Sequence, residues 1–157
     1  MPVLRFLMSL SLVVWIGGLI FFAFVVAPAA FAVLPTHQYA GEVVSRTLGR
    51  LHWIGVVSGL VYLGTSMAYT QAKTGSVQPF AARHVLIVLM ILLTLTSQLA
   101  ISGRMLALRN DMKVIDNVPQ DDPRRVEFNR LHHWSTRLEG TVLLMGMAVI
   151  YLTARKL

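Results

Sequence analysis

The chain of 157 residues has no cysteine, which excludes disulfides and thiolate metal sites. Charge is scarce: Asp, Glu, Lys and Arg make up 13% of the residues, against about 25% in a soluble domain. Acid is scarcest, with 7 Asp and Glu facing 14 Lys and Arg. No run alternates as a strand does, no glycine-rich phosphate loop occurs, and there is no His-Glu-x-x-His pair. These absences remove nucleotide cradles, thiol nucleophiles and zinc-peptidase helices, and they favour a non-catalytic role. What the chain has in abundance is apolar surface, at 55% hydrophobic residues. That composition belongs to a membrane protein. The net charge of +7 flanks the apolar segments, as bilayer anchors and headgroup contacts do, and does not form a nucleic-acid face.

The first apolar segment runs from Phe6 to Leu34 without a charge. It exceeds the roughly 7–15 apolar residues of a signal peptide, so it reads as a spanning helix that tilts or bends near Pro28. Thr36 is placed to cap the second helix, whose inner part is Leu51–Met67. Gln71–Pro79 is a polar loop. The third helix brings Arg83 and His84 to the interface, crosses over Val85–Ser102, and carries Thr94 and Gln98 four apart on one polar face. Met105, Leu108, Met112 and Ile115 keep helical spacing, so this helix is expected to continue into water. Asp122 caps a fourth helix with Pro123 at its first position, ending at the anchors Arg155 and Lys156. The expectation is one all-α domain, a four-helix up-down transmembrane bundle. Its helices cover about residues 4–33, 37–70, 79–116 and 123–155, with the third and fourth projecting past the bilayer as a hairpin.

The chemistry gathers at Asn129–Gly140, NRLHHWSTRLEG. The apolar run after it, Thr141–Ala154, is shorter than the roughly 20 residues that cross a bilayer. The fourth helix must therefore draw its first turns from this polar stretch, taking Arg137 and Glu139 to the membrane boundary, where ionisable groups point to function. Arg50-Leu51-His52 recurs as Arg130-Leu131-His132, displaced by 80 residues, as if two helical hairpins were repeated. Helices two and four of such a bundle face each other diagonally. His52 and His132 could then ligate haem b or a transition-metal ion from two sides. Arg50, Arg137 and Glu139 would set the charge, with His133 and Ser135 adjacent.

Other readings stand beside this one. Histidine, arginine and the pair Trp53 and Trp134 suit a membrane interface, and His37 and His84 read as residues of that belt. A small-residue surface of Gly17, Gly18, Gly55 and Gly59 suits an accessory or assembly subunit of a larger membrane complex, or a homo-oligomer. A histidine–glutamate path suits small-solute or metal transport or resistance. Four spans put the N-terminus, the 71–79 loop and the C-terminus on one face. His37, His52, His132, His133 and every acidic residue fall on the other, called here the second face. Lys and Arg are more numerous there, and orientation stays open.

The stretches LVVWIGGLIFFAFVVAPAAFAVLP, GRLHWIG and FNRLHHWSTRLEG resemble a bacterial domain of unknown function that includes the transmembrane protein 205-like proteins. Phe128, Leu131, His132 and Ser135 carry its most specific spacing. Where that family commonly has Asn, this chain has Glu139, which brings a charge to the site. The first helix is also distantly similar to copper-resistance D-type domains and to four-helix protoporphyrinogen oxidases. The resemblance implies a four-helix integral membrane protein, with the bacterial cytoplasmic membrane as its expected place, and implies no activity.

Overall fold

The two expected caps decide where two helices begin. Thr36 Oγ1 accepts from the Tyr39 amide at 3.2 Å, and Asp122 Oδ1 accepts from the Arg124 amide at 2.8 Å. In the computed structural model, which describes residues 1–155, four helices follow from these and similar signals. They are α1 (Pro2–Val33), α2 (His37–Thr74), α3 (Ala82–Met112) and α4 (Pro123–Ala154), each long and apolar enough to cross a bilayer. No strand occurs among the described residues. Lys156, expected as an end anchor, lies outside them.

The helix ends depart from expectation in three places. α2 continues past residue 70 to Thr74, where Gly75 at φ 72° stops it. α3 starts at Ala82, not at 79, because Pro79 sits in the preceding turn, where its missing N–H costs nothing. α3 also stops at Met112 and does not reach residue 116. Lys113 takes φ 58°, and the Val114 amide donates to the Met112 carbonyl at 2.7 Å, a tight reversal. The 3₁₀ turn Ile115–Asn117 that follows docks on the start of α2. There Asp116 lies 3.3 Å from His37 and accepts from the Gln38 amide. The apolar spacing read from the sequence still finds its partners: Leu108, Met112 and Phe128 form a buried cluster, with Met105, Ile115 and Leu131 against it.

Lipid is as apolar as a leucine side chain, so these helices are held by close packing and polar contacts, not by hydrophobic expulsion from water. The main core shows how. Trp15 is 1% exposed and fills the groove left by Gly55 and Gly59; a Cβ on Gly59 would stand 2.7 Å from its ring. Gly18 admits Leu51 in the same way, and Gly146 admits Ile16. Of the four glycines of the expected small-residue surface, Gly55 and Gly59 are thus covered from within the chain, Gly18 is half-buried, and Gly17 is exposed.

Successive helices pack as antiparallel neighbours, and α1 meets α4 through residues 13–21. Beyond that contact α1 leans on α2. Three π-helical turns widen the backbone at Val13–Gly17, Phe22–Val26 and Ser97–Ser102. The second lies just ahead of Pro28, which has no N–H to return to it. The last two turns border the space that opens between the second half of α1 and the first half of α4.

Candidate ligand-binding site inside the bundle

That space is a cavity of about 810 Å³, within the usual range of small-molecule pockets. Leu19, Phe22, Ala27 and Phe31 of α1 give it an apolar wall. Gly49 and Trp53 of α2, Gln98 and Arg109 of α3, and His132, Ser135, Glu139 and Gly140 of α4 complete the lining. Arg46 and Arg50 border it as well.

One polar knot crosses the apolar interior behind this wall. His52 is 2% exposed. Its Nε2 lies 2.6 Å from Glu139 Oε1 and its Nδ1 2.8 Å from Gln98 Oε1. Ser97 Oγ donates to the same carboxylate oxygen at 3.3 Å. Both ring nitrogens are thus engaged, one by the Gln98 amide group and one by the Glu139 carboxyl group. Ser97 and Gln98 both fall in the π turn Ser97–Ser102. Glu139 Oε2 is buried and has no hydrogen-bond partner among the described residues. A buried carboxylate oxygen without a donor is costly, and this one belongs to a residue that lines the cavity.

The residues expected to form the site are partly brought together. His52 and Glu139 pair directly. His132 borders the cavity, yet it precedes Glu139 by two helical turns, about 10 Å along α4. His52 is therefore level with Glu139 and not with His132, and the matching depth expected from the Arg-Leu-His repeat is not observed. The His132 ring meets His133 edge-on at 6.3 Å. His133 Nδ1 is bonded to the Asn129 carbonyl at 2.7 Å, on the exposed side. Ser135 is buried at the cavity lining, and Arg50 lies exposed at its edge. Arg137 sits over the Trp134 ring at 5.7 Å and makes no ion pair with Glu139. Among the described residues, no three His, Cys, Asp or Glu side chains gather as a metal set.

Two features escaped the sequence reading. Arg109 is 9% exposed; its Nη1 donates to Ser45 Oγ at 3.2 Å, its guanidinium lies 5.4 Å over Phe128, and its Nε is buried without a partner among the described residues. The signal was present, since Arg109 falls four after Met105 and so on the buried stripe. His84 is the second, and here the expectation of an interface residue is corrected. It is 1% exposed, between Ser66 Oγ at 2.8 Å and the Gln78 carbonyl at 2.9 Å. Arg83 donates to Ser66 and Thr70, and Tyr62 shares a hydrogen bond with Thr153 at 2.5 Å. Tyr62, Ser66 and Thr70 recur every four residues, a polar stripe in an apolar helix that marked this second knot in advance.

Fold and site together define the class: a small four-span membrane protein with a histidine–carboxylate pair and a ligand-sized cavity within the span. Residues 10–114 match the family described as "Domain of unknown function (DUF4149)". The chain belongs to that family. No curated protein and no solved structure matches it. The matched segment holds His52, Ser97, Gln98 and Arg109, whereas His132 and Glu139 lie beyond it on α4.

Proposed function

We propose that this protein binds a bilayer-soluble small molecule in the cavity beside the His52–Glu139 pair, as a ligand-handling membrane protein and not as an enzyme. The observation that carries this reading is the unpartnered Glu139 Oε2 at the lining of a cavity of about 810 Å³. A ligand with an apolar body and a hydrogen-bond donor would satisfy that oxygen and fill the wall formed by α1. Haem b has the apolar body and remains the first occupant to test. His52 is held by Gln98 and Glu139, so His132 is the imidazole that such a ligand would meet. A transition-metal ion would require His52 to leave those partners. The likeness to transmembrane protein 205-like proteins belongs to this reading and brings no activity with it.

The test is protein purified in mild detergent, with oxidised and dithionite-reduced absorption spectra and mass spectrometry of its organic extract. The expected result is one apolar small molecule per chain, lost in Glu139→Leu, which removes the acceptor, and in Gly140→Leu. Gly140 borders the cavity, and a Cβ on it meets no atom within 4 Å, so a leucine there narrows the space without a built-in clash. A Soret band would identify the molecule as haem. An extract with no stoichiometric molecule, together with no saturable uptake of added haemin, would overturn the reading.

A further inference from the structure

We propose that the second-face end of this cavity is a headgroup subsite for an anionic phospholipid drawn from the bilayer, with Arg109 as its main contact. This rests on the ligand-binding reading above and names its ligand class. A guanidinium is always charged and carries five donors. In Arg109 it is nine-tenths buried, supported by a serine hydroxyl and a phenyl face, with Nε–H unbonded and no carboxylate in ion-pair contact among the described residues. The nearby Glu42 is already taken by Arg46 at 2.6 Å. Buried charges are ordinarily paired, so Arg109 lacks an anion, and it lines the cavity where one can enter.

Position and surroundings select a lipid over a free anion. Arg109 lies three turns from Gln98, about 16 Å toward the second face, which moves it from the middle of the span toward headgroup depth. Arg50 adds positive charge at the same end, beside Arg46 in its pair with Glu42. Beside these cations stands the apolar wall of Phe22, Ala27 and Phe31, which a free phosphate would leave uncovered and an acyl chain would fill. The separation of α1 from α4 beyond residues 13–21 supplies a lateral way in from the bilayer.

The experiment is native mass spectrometry of the full chain in mild detergent, offered phosphatidylglycerol or phosphatidylcholine with the same acyl chains. Wild type is expected to retain phosphatidylglycerol about tenfold better, because both headgroups offer Arg109 a phosphate but the choline ammonium brings a positive charge against the arginines at this end. Arg109→Gln should erase that preference while some lipid is still retained, Arg109→Lys should keep most of it, and Gly140→Leu should lose both lipids. Equal retention of the two lipids by wild type overturns the subsite, and so does a preference that survives Arg109→Gln. The wild-type comparison needs no variant, so the test stands whether or not Arg109→Gln folds. If wild type shows no preference but Gly140→Leu still loses lipid, the subsite falls and the cavity reading survives. If Gly140→Leu retains lipid as wild type does, lipid binds elsewhere and the subsite falls.

Discussion

At the scale of single residues, the most consequential contact is the one between His52 and Glu139. It joins α2 to α4 at 2.6 Å in a region where few other polar partners exist. Removing the carboxylate strands a buried imidazole, whereas replacing it by an amide keeps one hydrogen bond. Glu139→Leu is therefore expected to lower stability by about 1.5–3 kcal/mol, the range for a hydrogen bond to a charged group, and Glu139→Gln by clearly less. Thermal unfolding in detergent, followed by circular dichroism, measures both. A Leu variant as stable as wild type would show that the pair contributes nothing to holding the bundle. The sequence pointed to both residues but set His52 opposite His132, because a tripeptide repeat carries no depth. Depth along a spanning helix is set by the packing of Trp15 on Gly55 and Gly59 and of Ile16 on Gly146. Those contacts pair residues whose spacing in the chain is unrelated.

At the scale of elements, the starts marked by a side-chain cap were legible, whereas the start of α3 and the ends of α2 and α3 were not. Thr36 and Asp122 act through a side chain on an amide two or three residues ahead, which is local chemistry. The end of α3 is decided by a distant partner, since Lys113 reverses the chain so that Asp116 can reach His37 and Gln38. The Asp122 cap also has a pH dependence with a definite sign. The Arg124 side chain and amide hold its carboxyl down from 3.8 to about 2. A depressed carboxyl stabilises the fold above its ordinary value and loses that contribution as pH falls through its folded value. The first turn of α4 should therefore loosen between about pH 4 and pH 2. Protection of the Arg124 and Arg125 amides, taken as their exchange relative to the intrinsic rate at each pH, should fall across that window in wild type. In Asp122→Asn, which keeps an oxygen acceptor and cannot titrate, the pH-dependent part should vanish. Identical profiles in the two proteins would exclude the cap as its source.

At the scale of the whole molecule, four spans set which loops share a face, and the remaining question is which face meets the cytoplasm. Lys73 and Arg5 are solvent-exposed on the N-terminal face, while its Arg83 is buried against Ser66 and Thr70. The second face keeps Arg46, Arg50, Arg104, Arg124 and Arg130 exposed. Short loops rich in Lys and Arg stay in the cytoplasm, so the second face is expected there. Arg104 and Arg124 are paired with Glu127 and Asp122, but acidic neighbours contribute little to that rule. The absence of cysteine makes the test clean, because one introduced thiol is the only thiol. Ser76→Cys and Asp121→Cys place it in exposed loops on opposite faces. With a membrane-impermeant maleimide on intact cells, Ser76→Cys should label at once and Asp121→Cys only after lysis. That outcome would also turn the basic end of the cavity toward the leaflet where anionic lipids concentrate. The opposite labelling would mean that these arginines are kept for the cavity and its ligand, against the direction in which they would otherwise orient the chain.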